Sequence, residues 1–481
     1  MGLCKASAAT RRNLIMSAAI FGAAVAGAHP ALAESLNQSI ARAYRGNPDI
    51  NLQRAAVRVT DENVPRQKAG YRPRVTGTAD AGAADLFSKS APGNGFNHSA
   101  AGNASGRNAN PSLTFPRGAG ISVTQTLFNG FRVENGVRSA ESTIFGARET
   151  LRNTEQSVLQ DTVTFYMNVL RDTAILSLRG NNVEVLTEQL RQTNDRFKVG
   201  DVTKTDVAQA QAALAQGQAD SFVAQTNLQT SIANFRQVVG IEPKRLEPVK
   251  PYDRNLPKTL EAAIVLSQSE HPAIQALLHG VDAAQLNVKV VEGELYPTVG
   301  VTGSLARRWD VSGTDGSQSI SASVVGQISV PIYEGGEVYA RVRQAKETLG
   351  QQRLQADLQR DKVRAAVVSA WYVFFNSAAV IRASLAQVSA AETALNGVRE
   401  EAKVGQRTTL DVLNAQQVLL NARVQLVSAQ RDRVVGSYAL QAAIGRLSVA
   451  SLGIGVDRYD PTQHFDQVKD KWFGLRTPDG Q

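Results

Sequence analysis

KVGDVTKTDVAQAQ, at residues 198–211, returns 205 positions later as KVGQRTTLDVLNAQ, at residues 403–416. Between residues 196–214 and 401–419, 9 of 19 positions are identical, whereas two unrelated stretches of this length would share about one. The chain is therefore predicted to be an internal duplication.

Both copies of the stretch are predicted to form a sharp turn between two helices. Glycine can adopt the left-handed conformation that ends a helix. Threonine caps the next helix well, and a carboxylate in its first turn meets the positive end of the helix dipole. The residues in these roles are Gly200, Thr203 and Asp206 in the first copy, and Gly405, Thr408 and Asp411 in the second. The same chemistry fits an ordinary helix-turn-helix bend, so one copy alone does not show whether the turn has a function beyond joining two helices.

Residues 1–33 have the pattern of an export signal. Three basic residues precede an apolar run over residues 14–28, and Ala-Leu-Ala at residues 31–33 is a small-x-small cleavage site. Cleavage there makes Glu34 the first mature residue and removes Cys4, the only cysteine. We therefore expect no disulfide and no thiol chemistry in the mature chain. No later segment supplies the about 18 consecutive apolar residues of a membrane-spanning helix.

The charge of the chain argues against a nucleic-acid partner. The formal net charge is +9, and three positive charges lie in the signal, which leaves +6 for the mature chain. The lysines and arginines are scattered rather than clustered, and exported chains seldom meet nucleic acid. A solvated, mildly basic surface is the better interpretation.

Each half of the mature chain is predicted to run helix, strand, loop, strand, long helix, turn, helix. Helical spacing of apolar residues and strict alternation of apolar and polar residues distinguish the two kinds of element. In the first repeat, 34–245, the strands are about 74–85 and 120–128 and the long helices are 130–198 and 203–239. In the second repeat, 259–446, the strands are about 298–306 and 319–332 and the long helices are 335–403 and 408–445.

Three segments are predicted to lie outside the repeated elements. Residues 87–117 are rich in Gly, Asn, Ser and Pro, which is typical of an exposed loop. Residues 246–258 form a connector, and residues 447–481 are interpreted as a loosely held tail.

The first long helix carries two neighbouring apolar stripes. One stripe is Val158, Thr162, Phe165 and Val169, and the other is Leu159, Val163, Tyr166 and Leu170. Two stripes predict packing against two partners.

The four strands have one apolar and one small, polar face. This alternation is typical of a transmembrane barrel that meets lipid outside and water inside. Four strands cannot close a barrel alone, and unpaired strand edges are excluded from lipid, so several chains must contribute strands. Three chains would give twelve strands. A soluble four-stranded sheet with one wet face is the alternative.

Four aromatic residues fall where helix meets strand, as an aromatic girdle at a membrane interface requires. They are Tyr71, Phe128, Tyr296 and Tyr333. Aromatic residues at strand ends are also common in soluble sheets, so this signal is weak.

These features together resemble the TolC family of outer membrane factors. The resemblance rests on the signal, the two halves, and the motif Val-Gly-x-x-x-x-x-Asp-Val at both turns. It implies a mixed α/β membrane protein, a homotrimer with a twelve-stranded β-barrel in the outer membrane lipid, continued by a long α-helical barrel across the periplasm of a Gram-negative bacterium.

The resemblance also implies a function and partners. Such a protein is the passive exit duct of a tripartite system for multidrug efflux, type I protein secretion or both. A periplasmic adaptor would dock on the tip turns, at Val199, Gly200, Val404 and Gly405. The inner-membrane transporter would be of the ABC or the resistance-nodulation-division type, and the sequence does not distinguish these two.

Five residues match gate positions of the family. Thr205 and Asp206 match the first-repeat partners in the closed gate, and Arg407 matches the arginine that links to them. Asp411 matches the first of two aspartates that ring the constriction, but Asn414 stands at the second position. We expect a ring of three carboxylates rather than six, with weaker affinity for trivalent blockers.

Some of these assignments have plain alternatives. The family's tyrosine at the gate would fall at Ala402, so that hydrogen bond is missing. The two aspartates also suit helix caps, and Arg407 also suits a solvated turn.

No enzyme constellation, cofactor motif or metal-ligand spacing appears in the sequence. The five histidines form no evident ligand cluster, and neither a phosphate-binding glycine loop nor a nucleophile elbow is present. A soluble periplasmic coiled-coil adaptor or scaffold and an envelope-processing enzyme are the remaining alternatives to a channel.

Overall fold

The computed structural model describes residues 34–86, 112–254, 256–310, 316–478 and 480. The predicted export signal, 1–33, and residues 87–111 of the predicted loop lie outside this part. The end of that loop is not irregular, because residues 112–114 form a strand.

The described elements follow the predicted order in both halves. In the first half they are α1 (Leu36–Gly46), α2 (Pro48–Asp61), α3 (Asn63–Lys68), β1 (Arg74–Ala81), β2 (Ala84–Leu86), β3 (Ser112–Thr114), β4 (Arg117–Phe128), α4 (Arg132–Lys198) and α5 (Lys204–Val239). In the second half they are α6 (Leu260–Glu270), α7 (Pro272–Glu292), β5 (Thr298–Trp309), β6 (Gln318–Ser329), α8 (Glu337–Lys403) and α9 (Thr409–Ile444), and α10 (Pro461–Val468) follows.

The long helices of the two halves have identical lengths. Helices α4 and α8 each have 67 residues, and α5 and α9 each have 36. Each member of a pair begins and ends 205 positions from the other. At 1.5 Å per residue, the longer helices reach about 100 Å.

The two predicted stripes of α4 are confirmed. Leu159, Val163 and Tyr166 are fully buried, and Val158 and Val169 nearly so. Their cluster includes apolar residues of α1, α5 and α9. Helix α4 therefore packs against several partners at once, as two neighbouring stripes require.

The four longer strands form one antiparallel sheet in the order β1-β4-β5-β6. Strands β1 and β6 are its edges, and they run in opposite directions because three antiparallel pairings separate them. The predicted strand 319–332 ends early, at Ser329. Its last three residues have no neighbouring strand to pair with among the described residues.

The register places the predicted apolar and polar residues on separate faces. Directly opposed residues share a face, and the apolar pairs include Val75 with Val123, Ile121 with Leu305, and Val299 with Ile328. On the other face, hydroxyl pairs join the strands at 2.7 Å between Thr76 and Ser122 and at 2.8 Å between Ser304 and Ser323.

The C-terminal segment is anchored between Leu447 and Val468, which corrects the expectation of a loosely held tail for that part of residues 447–481. Leu447 and Val468 are buried, and α10 lies against α2. Its His464 Nδ1 lies 3.0 Å from the carboxylate of the fully buried Asp61. A pattern of Gly, Asp and Pro hid these contacts, because they depend on α2, some 400 positions away.

Among the described residues, one helix has the length and composition of a membrane span, although the sequence contains no unbroken apolar run of that length. Helix α8 contains an 18-residue window with a mean hydropathy of 1.3, of which 17% is buried. Its apolar residues are interrupted by polar ones, so a search for an unbroken run misses it.

A buried tyrosine ties the beginning of the described chain to the connector. The Tyr166 hydroxyl lies 2.8 Å from the carbonyl oxygen of Glu34 and accepts a hydrogen bond from the Glu247 N–H at 2.9 Å. Burial raises the pKa of Tyr166 to about 12. A backbone bridge between Glu34 and Leu246 lies beside it.

Tyr166→Phe is expected to destabilise this region by about 0.5–1.5 kcal/mol, because the buried hydroxyl that bridges the backbone of Glu34 and Glu247 is lost. The temperature at which the assembled protein dissociates on a gel would fall. Tyr252→Phe is the matched control, since it removes an exposed hydrogen bond to the Ser451 carbonyl and should change that temperature much less. Equal shifts for both variants would contradict the assignment.

Candidate functional site

The two repeated turns have the same backbone. Gly200 and Gly405 have φ of +79° and +77°. In the first turn, the N–H of Gly200 donates to Phe197 and the N–H of Asp201 donates to Arg196. The second turn repeats both bonds at the shift of 205. This is the Schellman pattern, in which a left-handed residue satisfies the last carbonyls of a helix.

The predicted caps follow immediately. Thr203 accepts from the N–H of Asp206, and the Asp206 carboxylate accepts from the Thr203 N–H at 2.9 Å. Thr408 and Asp411 form the same reciprocal pair, at 3.0 Å for the bond to the carboxylate. Two successive capping motifs thus fix the angle between the helices on each side of the turn.

Both capping carboxylates are ionised at neutral pH. Hydrogen bonds from Thr203 hold the pKa of Asp206 below its usual range, and those from Thr408 do the same for Asp411. Because a lowered carboxyl pKa stabilises the fold above the unfolded pKa, the caps weaken only as the pH falls through the lowered values. Each turn therefore carries a fixed negative charge as well as a cap.

Within one chain, Arg407 does not contact Asp206. Its Nε lies 2.8 Å from a carboxylate oxygen of Glu401, across the turn. The first turn has a comparable pair, between Arg196 and Asp201 at 2.6 Å. The predicted contact between Arg407 and the first-repeat residues is not formed within the described chain, and it stays a prediction.

The remaining predicted residues of the turns are exposed. Val199 and Val404 are 80% and 72% exposed, and Thr205 and Asn414 also face outward from the chain. Large apolar side chains at the end of a helical hairpin leave an apolar surface available for contact with another protein.

Sequence reasoning missed a polar link near the turns. The Gln416 amide donates to the Asn182 oxygen at 3.1 Å, and both side chains are buried between α4 and α9. The repeat contains a glutamine at the equivalent position, Gln211, but that residue is exposed. Gln416 belongs to the repeated stretch, but nothing in the sequence around Asn182 predicts that it is the partner.

The four aromatic residues lie at one end of the sheet. Tyr71 and Tyr296 precede β1 and β5, whereas Phe128 ends β4 and Tyr333 follows β6. Because neighbouring strands are antiparallel, these four positions lie at the same end of the strands. Phe128 also packs edge-on against Phe131, with 5.3 Å between ring centroids.

Within the described residues, no group of three or more His, Asp or Glu residues is placed to hold a metal ion. The carboxylates of the turns are engaged in caps and ion pairs. The arrangement offers contact surfaces and fixed charge.

Comparison with known proteins gives a consistent result. A family model described as "Outer membrane efflux protein" matches residues 39–241 and 263–446. The outer membrane efflux protein BepC of Brucella suis is 40% identical over 472 residues, with 98% of both chains covered. The outer membrane protein TolC of Escherichia coli is 26% identical over 377 residues, which cover 69% of this chain and 75% of TolC.

A solved structure has the same fold. The CmeC outer membrane channel of Campylobacter jejuni superposes with a TM-score of 0.73 at 17% identity, covering 90% of this chain and 89% of CmeC. The resemblance predicted from the paired turns is therefore confirmed.

Proposed function

The chain belongs to the outer membrane efflux protein family, and from that membership we propose that three copies form one closed exit duct for multidrug efflux, type I protein secretion or both. Proteins of this family are outer membrane channels that extend into the periplasm, and this chain is one of them. The soluble adaptor predicted as an alternative is not supported by these relationships.

One observation carries the proposal: among the described residues, the two outer strands of the sheet each pair on one side only, and they run in opposite directions. Strands β1 and β6 bound the sheet, and lipid excludes unpaired backbone N–H and C=O groups. Strand β6 of one copy can pair antiparallel with β1 of the next. Three copies of this four-stranded sheet close a ring of twelve strands, which is an even number in the range of known barrels.

The apolar surface of α8 supports assembly through the helices as well. Several of its large apolar side chains are about half exposed in the single chain, namely Tyr372, Val373, Phe375, Val380 and Leu385. Contiguous exposed patches of this kind are typical of protein interfaces. A neighbouring copy packed along α8 would bury them, and the window that resembles a membrane span would then lie between helices.

The tip turns are the proposed gate and docking surface. With three copies around an axis, Arg407 of one copy can reach Thr205 and Asp206 of a neighbour, and guanidinium to carboxylate is a strong charge-assisted contact. The exposed Val199 and Val404 would meet a periplasmic adaptor protein. An inner-membrane transporter supplies the energy, since a passive duct has no source of its own.

Identification of partners tests the proposed function. Cross-linking in living cells, followed by purification and mass spectrometry, should recover an adaptor together with a resistance-nodulation-division transporter if the cargo is small compounds. Recovery of an ATP-driven transporter alone would point instead to secretion of a protein or peptide. A soluble monomer without partners would contradict the duct itself.

Asn414→Asp is expected to lower the concentration of hexaamminecobalt(III) that half-blocks the channel on the order of tenfold, because six carboxylates would ring the constriction instead of three. Conductance block in planar bilayers measures this. Asn421→Asp adds the same charge two helical turns further along α9 and should have a much smaller effect. If block by the trivalent ion is the same in Asn414→Asp and the native channel, the ring assignment is wrong.

A further inference from the structure

The last described residues present three large apolar side chains to the outside. Trp472, Phe473 and Leu475 are 66%, 89% and 102% exposed. They follow α10, whose Val468 is fully buried. Residues 469–476, here called the C-terminal strap, are thus anchored at one end and apolar on the outside.

The strap is held against the chain at the point where β1 begins. The Arg72 guanidinium lies 4.6 Å from the centre of the Trp472 ring and donates to the Lys471 carbonyl at 2.9 Å. Lys68 forms an ion pair with Asp470 at 2.7 Å. These contacts fix the strap beside Tyr71, at the end of the sheet where the four predicted interface aromatics lie.

The charge around the strap is positive. Its neighbouring acidic side chains, Asp466 and Asp470, are in ion pairs with Lys469 and Lys68. Lys471, Arg476 and Arg72 add positive charge beside the exposed apolar residues. Aromatic and leucine side chains rimmed by lysine and arginine are the composition of segments that lie in the headgroup region of a membrane.

We propose that the C-terminal strap inserts Trp472, Phe473 and Leu475 into the periplasmic leaflet of the outer membrane, with its basic residues on anionic phospholipid headgroups. The inference rests on the proposed function, because it requires the sheet to cross that membrane. Two observations select this occupant. The strap is held by Arg72, three residues before Val75 on the apolar face of β1, and its charge is opposite to that of phosphate.

Such an anchor would do what a lipidated cysteine does elsewhere. The only cysteine of the sequence, Cys4, lies in the predicted export signal. A strap on each of three copies would give the duct three shallow anchors around its base. They would resist tilting when a partner pulls on the periplasmic end.

Tryptophan fluorescence tests the proposal in the assembled protein. Trp309→Phe with Trp371→Phe leaves Trp472 as the single tryptophan, in bilayers that contain phospholipid brominated near the headgroup end of its acyl chains. We expect Trp472 to lose much of its emission to this lipid, to lose less to lipid brominated near the chain end, and to resist aqueous acrylamide. Quenching by acrylamide alone would place the strap in water and overturn the proposal.

Two further outcomes are informative. If neither lipid nor acrylamide quenches Trp472, a neighbouring copy covers the strap, which also overturns the proposal. The variant that keeps only Trp309 is the control, because Trp309 shares the apolar strand face with Leu305. Absence of lipid quenching at Trp309 as well would mean that the barrel is not in the bilayer, and the proposed function itself would fail.

The headgroup contact has its own test. Quenching of Trp472 should increase when phosphatidylglycerol replaces part of a zwitterionic bilayer, and Lys471→Gln with Arg476→Gln should abolish that increase. Lys204→Gln with Lys403→Gln removes the same charge at the distant tip and should leave it intact. An increase that survives loss of the strap charges would overturn the headgroup assignment.

Discussion

Arg407→Ser is expected to raise the single-channel conductance several-fold in planar bilayers. The proposed gate uses the same contact three times around the axis, so one substitution removes all three. A closed arrangement that loses three charge-assisted contacts is populated less, and the open arrangement carries more current. Thr205 and Asp206 lose their partner without any change in their own helix.

The intrachain pair supplies the control for this experiment. Arg407 contacts Glu401 within one chain, so Glu401→Gln removes that pair and keeps the guanidinium available for a neighbour. The conductance of Glu401→Gln should stay near the native value. An unchanged conductance in Arg407→Ser, or an equal rise in both variants, would show that Arg407 is a solvated turn residue.

Gly445→Ala is expected to prevent most of the chain from reaching the assembled state. Gly445 ends α9 with φ of +94°, and a Cβ atom there would lie 2.7 Å from the Cα of His271. The left-handed conformation alone costs an alanine about 1–2 kcal/mol, and forced overpacking adds about 1–3 kcal/mol. The bidentate pair of Arg446 with Glu270, at 2.6 and 2.8 Å, holds this junction together and would be displaced.

The duplication supplies a matched control for this substitution. Gly240 is the equivalent residue of the first repeat and has φ of +87°, and a Cβ atom there would meet no neighbour within 4 Å among the described residues. Gly240→Ala should cost only the conformational part, about 1–2 kcal/mol. The yield of heat-resistant assembled protein in membranes measures both variants. Comparable losses would mean that conformation, and not the close approach to His271, decides the result.

Local chemistry makes the helices and turns predictable. The glycine, threonine and aspartate of each turn specify a termination and a cap within nine residues, so they need no information from the rest of the chain. The shift of 205 then predicts the long helices of the second half from those of the first. The two faces of each strand can also be predicted from the sequence, because apolar and polar residues alternate along a single strand such as β6.

Contacts between distant residues are not accessible in the same way. The Gly, Asp and Pro content of the tail predicts a loose segment. That prediction fails because Leu447 and His464 are held by helices far away in sequence. Strand β6 ends at Ser329 because its partner β5 begins at Thr298, after Pro297, and Pro331 has no N–H to donate. Asn182 resembles any polar helix residue until Gln416 is placed opposite it. These features lie in packing, which a single sequence does not display.

The two bare edges of the sheet have a consequence for biogenesis. A single-chain barrel can close by joining its own first and last strands, so its insertion is a unimolecular event. Here closure waits for three chains to meet, and its rate should rise steeply with the concentration of newly exported protein. Until then each copy carries two templates for mispairing with any other exposed strand. Cells that produce this protein slowly would therefore need to keep single chains unassembled without mispairing. The supply of chains, rather than their stability, would limit the number of working ducts.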